Sequence, residues 1–140
     1  MFFILYQLIT SILLVFSPFI IIYRIINNKE HKFRFKEKFC FFSKKKNYDK
    51  LIWFHGSSVG EIMSILPIIQ KYENRKSIRK ILITSSTLSS SKILNNLKFK
   101  KVIHQFYPID HLFFSNKFLN HWKPSLAIFL ESEIWPSMFK

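Results

Sequence analysis

From Leu51 onward, four short apolar runs rich in β-formers alternate with stretches whose apolar residues recur at helical spacing. The runs are "LIWFH" (51–55), "KILITS" (80–85), "VIHQFY" (102–107) and "LAIFLE" (126–131). After the first, "SVGEIMSILPIIQKY" places Ile62, Ile65, Leu66 and Ile69 on one helical face, and further helices are expected over roughly 88–97 and 111–121. Strands alternating with helices imply βαβ units, and therefore an α/β fold built on a parallel sheet with both faces covered. In such sheets ligands bind at the carboxyl ends of the strands. The polar segments that follow the runs are "HGSSVGE", "TSSTLSSSK", "YPID" and "ESEIWP". All four should meet at one sheet edge.

The first 23 residues, "MFFILYQLITSILLVFSPFIIIY", carry no charged side chain. As a helix they would be about 35 Å long, against a hydrocarbon core of about 30 Å. Pro18 would kink such a helix at a cost that a membrane tolerates. A signal peptide would need positive charge ahead of a shorter apolar run and a small-residue cleavage site. None of these is present, so residues 1–26 are expected to be an uncleaved, single-pass transmembrane anchor. Residues 24–50 contain ten Lys/Arg against three Asp/Glu. That bias places the following domain on the cytoplasmic side of the membrane. Residues 27–50 are expected to be a basic juxtamembrane linker lying on anionic headgroups, the alternative being a solvated connector. Residues 51–140 then form the sheet domain.

The net charge of +14 invites a nucleic-acid reading, but 18 of the 22 basic residues are lysine. The chain is also rich in Ile, Phe and Asn, as an AT-rich codon bias would make it. Four arginines are a poor supply for bidentate phosphate or base contacts, so no nucleic-acid partner is expected. Cys40 is the single cysteine, which excludes an internal disulfide. The histidines show no metal-ligand spacing, and neither a metal nor a cofactor is expected.

The chain's two glycines, Gly56 and Gly60, both fall within "HGSSVGE". Gly56 suits a tight strand-to-helix turn, with positive φ as one way to make it. Gly60 in the first helical turn would leave backbone bare, so that a substrate or another strand could approach closely. Ser58 and Glu61 have the spacing of a capping box. The same geometry suits a general base, because the helix dipole favours a carboxylate there beside exposed amides. Spacing alone leaves these two roles for Glu61 open. "TSSTLSSS" likewise reads either as a helix cap or as hydroxyls offered to a phosphate, with the cap the simpler reading.

The series "WFHGSSVGE", "LPII", "TSSTLSSS", "YPID" and "ESEIWP", in this order, resembles the 3-deoxy-D-manno-octulosonic acid (Kdo) transferases of lipopolysaccharide synthesis. The resemblance covers roughly residues 51–137, and the apolar N-terminus and basic stretch are also similar to the family's. It implies the first half of a two-domain GT-B glycosyltransferase: a membrane helix, then a partial Rossmann-like parallel sheet with flanking helices. It implies transfer of Kdo from CMP-Kdo to the lipid A precursor, lipid IVA. By this resemblance Glu61 is the catalytic base, and His55, Ser58 and Gly60 shape the acceptor pocket. Glu131 and Glu133 would join in acceptor binding; two apart, they would share a face if the strand reached them. The alternative for Glu133 is a helix-terminal charge ahead of Trp135 and Pro136.

Two departures stand out. Leu88 and Ser90 occupy positions where the family tends to have proline and glycine. The sequence also stops at Lys140, short of the C-terminal domain expected to hold CMP-Kdo, so residues 51–140 are expected to be an incomplete, acceptor-side domain without activity alone. The competing readings are an inactive membrane-anchored remnant and a different nucleotide-sugar glycosyltransferase.

Overall fold

Each of the four β-rich runs forms a strand. The structure is a computed structural model and describes residues 2–42, 50–131 and 134–140. The strands are β1 (Leu51–His55), β2 (Lys80–Ser85), β3 (Val102–Phe106) and β4 (Leu126–Phe129). All pairings are parallel, in the order β3-β2-β1-β4. The helices are α1 (Phe2–Ile26), α2 (Val59–Glu73), α3 (Leu88–Asn96) and α4 (Leu112–Trp122).

Strand alternation divides the core into two layers. Leu51, Trp53, Leu82 and Ile103 point to one face, where they meet Phe114, Phe118 and Trp122 of α4. Phe54, Ile81 and Ile83 point to the other and meet Ile62, Ile65 and Ile69 of α2 and Leu94 of α3. The three α2 isoleucines sit at i, i+3 and i+7, and burying each contributes about 1.5–3 kcal/mol.

The basic stretch after α1 is partly built into this core. A short 3-10 helix, Arg34–Phe39, lies against β3. Its Glu37 is buried and pairs with Arg34 at 2.8 and 3.0 Å. Arg34 donates to the backbone oxygen of His104 at 2.8 Å, and the Phe106 N–H donates to Glu37 Oε2 at 3.0 Å. These even-numbered residues of β3 face away from β2, so the ion pair occupies backbone sites that a further strand would otherwise fill. Covering an edge in this way removes a template for aggregation. The charge count alone read residues 27–50 as a connector or surface strip; pairing across 70 residues is invisible to it. Lys44, Lys45 and Lys46 lie outside the described residues.

Helix α1 runs through Pro18. Proline has no N–H for the oxygen of Leu14, and the hydroxyl of Ser17 donates to that oxygen instead, at 2.7 Å. The helix does not stand apart from the sheet domain. Tyr6 Oη donates to Asp110, Gln7 Nε2 to Ser137 Oγ at 2.7 Å, and the Leu112 N–H to Gln7 Oε1 at 3.2 Å. Ser11 Oγ lies 3.2 Å from His111 Nε2. His111 Nδ1 accepts the Phe113 N–H at the start of α4, which leaves Nε2 as the donor to Ser11.

Cys40 follows the 3-10 helix in a left-handed conformation (φ 56°), with its thiol buried and directed at the Phe114 oxygen 3.2 Å away. Burial pushes the thiol up from 9.0 to about 12, against a smaller opposing effect of Lys117. The raised folded value means that this contribution to stability is present below about pH 9 and is lost between about 9 and 12. Iodoacetamide at pH 8 should therefore alkylate Cys40 about 10³-fold more slowly in the folded chain than in guanidinium. Equal rates would mean that the 3-10 segment is undocked.

Candidate active site

The parallel order brings the turns after β1, β2 and β3 and the segment after β4 to one edge. The turn after β1 carries most of the expected site residues. Ser58 is the N-cap of α2, and the capping box is complete. The Glu61 N–H donates to Ser58 Oγ at 3.3 Å, and Ser58 N–H donates back to Glu61 Oε1 at 3.2 Å. Ser58 Oγ donates to Oε1 at 2.5 Å and the Ser57 N–H to Oε2 at 2.8 Å. The carboxylate thus sits at the positive end of α2 with both oxygens engaged. A carboxylate has about four acceptor positions, and these three bonds use all but one of them.

The two glycines have different reasons. Neither has positive φ. A Cβ on Gly56 would lie 2.8 Å from Leu130 Cδ1, a side-chain tip that can move, and 3.1 Å from Glu61 Cβ, which is fixed by the capping box, so close packing, not an unusual backbone, favours glycine there. A Cβ on Gly60 would meet nothing nearer than Ser58 Oγ at 4.0 Å. Gly60 is exposed one residue from Glu61 and leaves open space beside it. Gly56→Ala should destabilise the domain by about 1–3 kcal/mol through overpacking. Gly60→Ala, at a helical position with room for the methyl, should instead stabilise it by up to about 1 kcal/mol. A loss of stability at Gly60 as large as at Gly56 would contradict this division.

The turn after β2 joins the first through Ser86, whose Oγ lies 3.5 Å from Ser57 Oγ. Thr87 caps α3 by accepting the Ser90 N–H at 3.2 Å, which bears out the cap reading of "TSSTLSSS". After β3, Tyr107, Pro108, Ile109 and Asp110 line a cavity of about 160 Å³ together with Ser86, Lys38 and Trp135.

Residues 33–140 match the family described as 3-deoxy-D-manno-octulosonic-acid transferase (Kdo transferase). The chain belongs to this family. A 3-deoxy-D-manno-octulosonic acid transferase of Rickettsia bellii is 40% identical over 132 residues, 94% of this chain and 32% of the relative. A probable mitochondrial 3-deoxy-D-manno-octulosonic acid transferase of Arabidopsis thaliana is 37% identical over 83% of this chain and 26% of its own length. The Haemophilus influenzae transferase is 26% identical over 92% of this chain and 31% of its own. The chain therefore spans about a third or less of these relatives. Its α/β architecture, with an apolar N-terminal helix and a parallel sheet flanked by helices, is consistent with the N-terminal domain of a GT-B glycosyltransferase.

Within this Kdo transferase segment, the residues expected at the site are differently placed. Ser58, Gly60 and Glu61 lie together in the first turn of α2. His55 is fully buried at the end of β1. It stacks on Tyr107 at 3.9 Å between ring centres, and its Nδ1 lies 2.9 Å from Thr84 Oγ1, which also accepts the Trp53 indole N–H. Its partner Tyr107 lines the strand-end cavity, and His55 itself lies beneath it. Glu131 is exposed beyond β4, which ends at Phe129, so strand alternation does not set its direction. Its backbone is left-handed (φ 54°), a conformation that costs a non-glycine residue about 1–2 kcal/mol. Glu133 lies outside the described residues. Lys38 and Asp110, which the sequence reading did not place at the site, also line the strand-end cavity. "YPID" signalled the second; nothing in the local sequence signalled that Lys38 of the basic stretch reaches the strand ends.

Proposed function

We propose that this chain is the acceptor-side part of a glycosyltransferase that moves Kdo from CMP-Kdo to the lipid A precursor. The observation that carries the reading is Glu61, held at the N-terminus of α2 beside the open backbone of Gly60 in the family-matched segment. Glu61 takes the proton of the acceptor hydroxyl as that oxygen bonds the anomeric carbon of Kdo. CMP leaves with the electrons of the broken bond and is held by a C-terminal domain of the kind the longer relatives have room for. Ser58 and Ser57 orient the carboxylate, His55 sets Tyr107, and Glu131 with Glu133 contacts the acceptor sugar.

The test is a chimera in which this chain replaces the matching segment of the Rickettsia bellii relative. It should transfer Kdo from CMP-Kdo to lipid IVA. A folded chimera that binds CMP-Kdo and transfers nothing would contradict the proposal.

Helix α1 serves as the membrane anchor in this reading; because Tyr6, Gln7 and Ser11 near its N-terminus bond the sheet domain, it lies along the domain with its outer face in lipid, not across the bilayer as the apolar run alone suggests. Its polar residues Tyr6, Gln7 and Ser11 face the domain, while Leu5, Leu8, Ile12, Phe16 and Phe19 are exposed. That is the reverse of a helix packed on a soluble core and suits a lipid-facing surface. With the domain on the cytoplasmic side of the inner membrane, protease added to intact spheroplasts should leave residues 51–140 uncut, and carbonate should not extract the chain. Cleavage from outside would reverse the orientation.

A further inference from the structure

Between α1 and the strand-end loops runs an apolar groove of about 430 Å³. One wall is α1, with Ile9, Leu13, Leu14, Ile20 and Ile21; the other includes Ile109 and Trp135. Ile9, Leu13 and Ile20 are 49%, 55% and 49% exposed, so the groove leaves large apolar surface uncovered. Such surface in a concave site marks a binding groove more often than an unfilled core.

Two observations say what fits it. The groove shares Lys38, Ile109, Asp110 and Trp135 with the smaller cavity at the strand ends, so the two have a common wall. The smaller cavity continues to Ser86, and from there to the Ser57–Glu61 turn. An occupant of the groove therefore has one end directed at the candidate catalytic edge. At the other side α1 presents an apolar exterior, so a chain can pass from a bilayer into the groove without crossing a polar barrier. The volume accommodates about fourteen groups the size of a water molecule, at roughly 30 Å³ each, which is the scale of one acyl chain. The charged rim does not call for an ionic ligand of its own, because Glu30 accepts from both Arg24 and Lys38.

We infer that this groove holds an acyl chain of the glycolipid acceptor, drawn from the membrane so that the sugar headgroup is delivered to Glu61. This rests on the proposed acceptor-side function and adds to it the part of the acceptor that α1 would recognise. It also gives α1 a role beyond attachment: its inner face would form half of the substrate site.

The test uses the full chain in phosphatidylethanolamine–phosphatidylglycerol vesicles and two photoreactive probes. One is lipid IVA with a diazirine in an acyl chain; the other is phosphatidylethanolamine with the same group. Adducts are mapped by mass spectrometry. The lipid IVA probe should label Leu13, Ile109 and Trp135, and the phospholipid probe should label the outward Leu5, Ile12 and Phe16. Leu13→Trp, at a half-exposed position that should tolerate the change, should cut the groove adducts about tenfold, as displacing about two methylenes would, and leave the outward ones unchanged. Lipid IVA adducts confined to the outward face would overturn the inference. So would phospholipid labelling of the groove that excess lipid IVA does not displace. If the chimera transfers Kdo and the groove is unlabelled, this inference fails alone; if the groove labels and a folded chimera transfers nothing, the groove stands and the transferase reading fails.

Discussion

Glu37→Ala should destabilise the chain by about 3 kcal/mol, among the largest effects of any single substitution outside the central strands. The carboxylate is buried and engages both Arg34 and the Phe106 N–H. Alanine leaves that N–H at the edge of β3 without its acceptor and leaves the guanidinium beside an empty space. The cost stays at the lower end for a broken buried pair because Arg34 is partly exposed and keeps its bonds to the His104 oxygen and Ser91 Oγ. In a domain of this size it corresponds to a fall in Tm of roughly 12–24 °C. Glu37→Gln retains an acceptor for Phe106 and should lose clearly less. Urea or thermal melts in detergent check both. A change below about 0.5 kcal/mol for Glu37→Ala, the usual range for a surface substitution, would mean that the 3-10 helix is not part of the fold.

The strands were legible because their side chains say two things at once. Val, Ile and aromatic residues mark the pleat, and Gly56, Ser85–Ser86 and Pro108 end it. Helix α2 was legible down to its cap, because Ser58 and Glu61 have the only spacing a capping box allows. Local pattern did not reveal what reaches across the chain. Arg34 and Glu37 looked like two charges in a basic run, yet they complete the edge of β3 some 70 residues away. Tyr6, Gln7 and Ser11 looked like minor interruptions of an apolar helix and are its docking points on the domain. At the site, the cluster of Ser58, Gly60 and Glu61 followed from one turn. The positions of His55 and Lys38 did not, because burial and long-range reach leave no local signature. The reason for Gly56 was likewise hidden, since it depends on Leu130 closing over the turn.

Glu61→Gln separates the two roles that its geometry permits. Glutamine keeps one carbonyl oxygen, which can accept the Ser58 N–H and hydroxyl as Oε1 does, so the capping box survives. Its amide nitrogen stands where Oε2 accepts the Ser57 N–H, and losing that bond should cost about 1 kcal/mol. Glutamine cannot take a proton, so transfer should fall about 10²–10⁴-fold. Ser58→Ala should instead leave the carboxylate in place while losing about 0.5–2 kcal/mol of stability through the cap. The most direct measurement is kcat for Kdo transfer from CMP-Kdo to lipid IVA, at saturating acceptor, in the Rickettsia bellii chimera with and without Glu61→Gln, with the Tm of each protein recorded. A fall of about 10²-fold or more, with a Tm lowered by no more than about 8 °C, is the predicted result. Near-parental turnover would make Glu61 a cap alone and contradict the account.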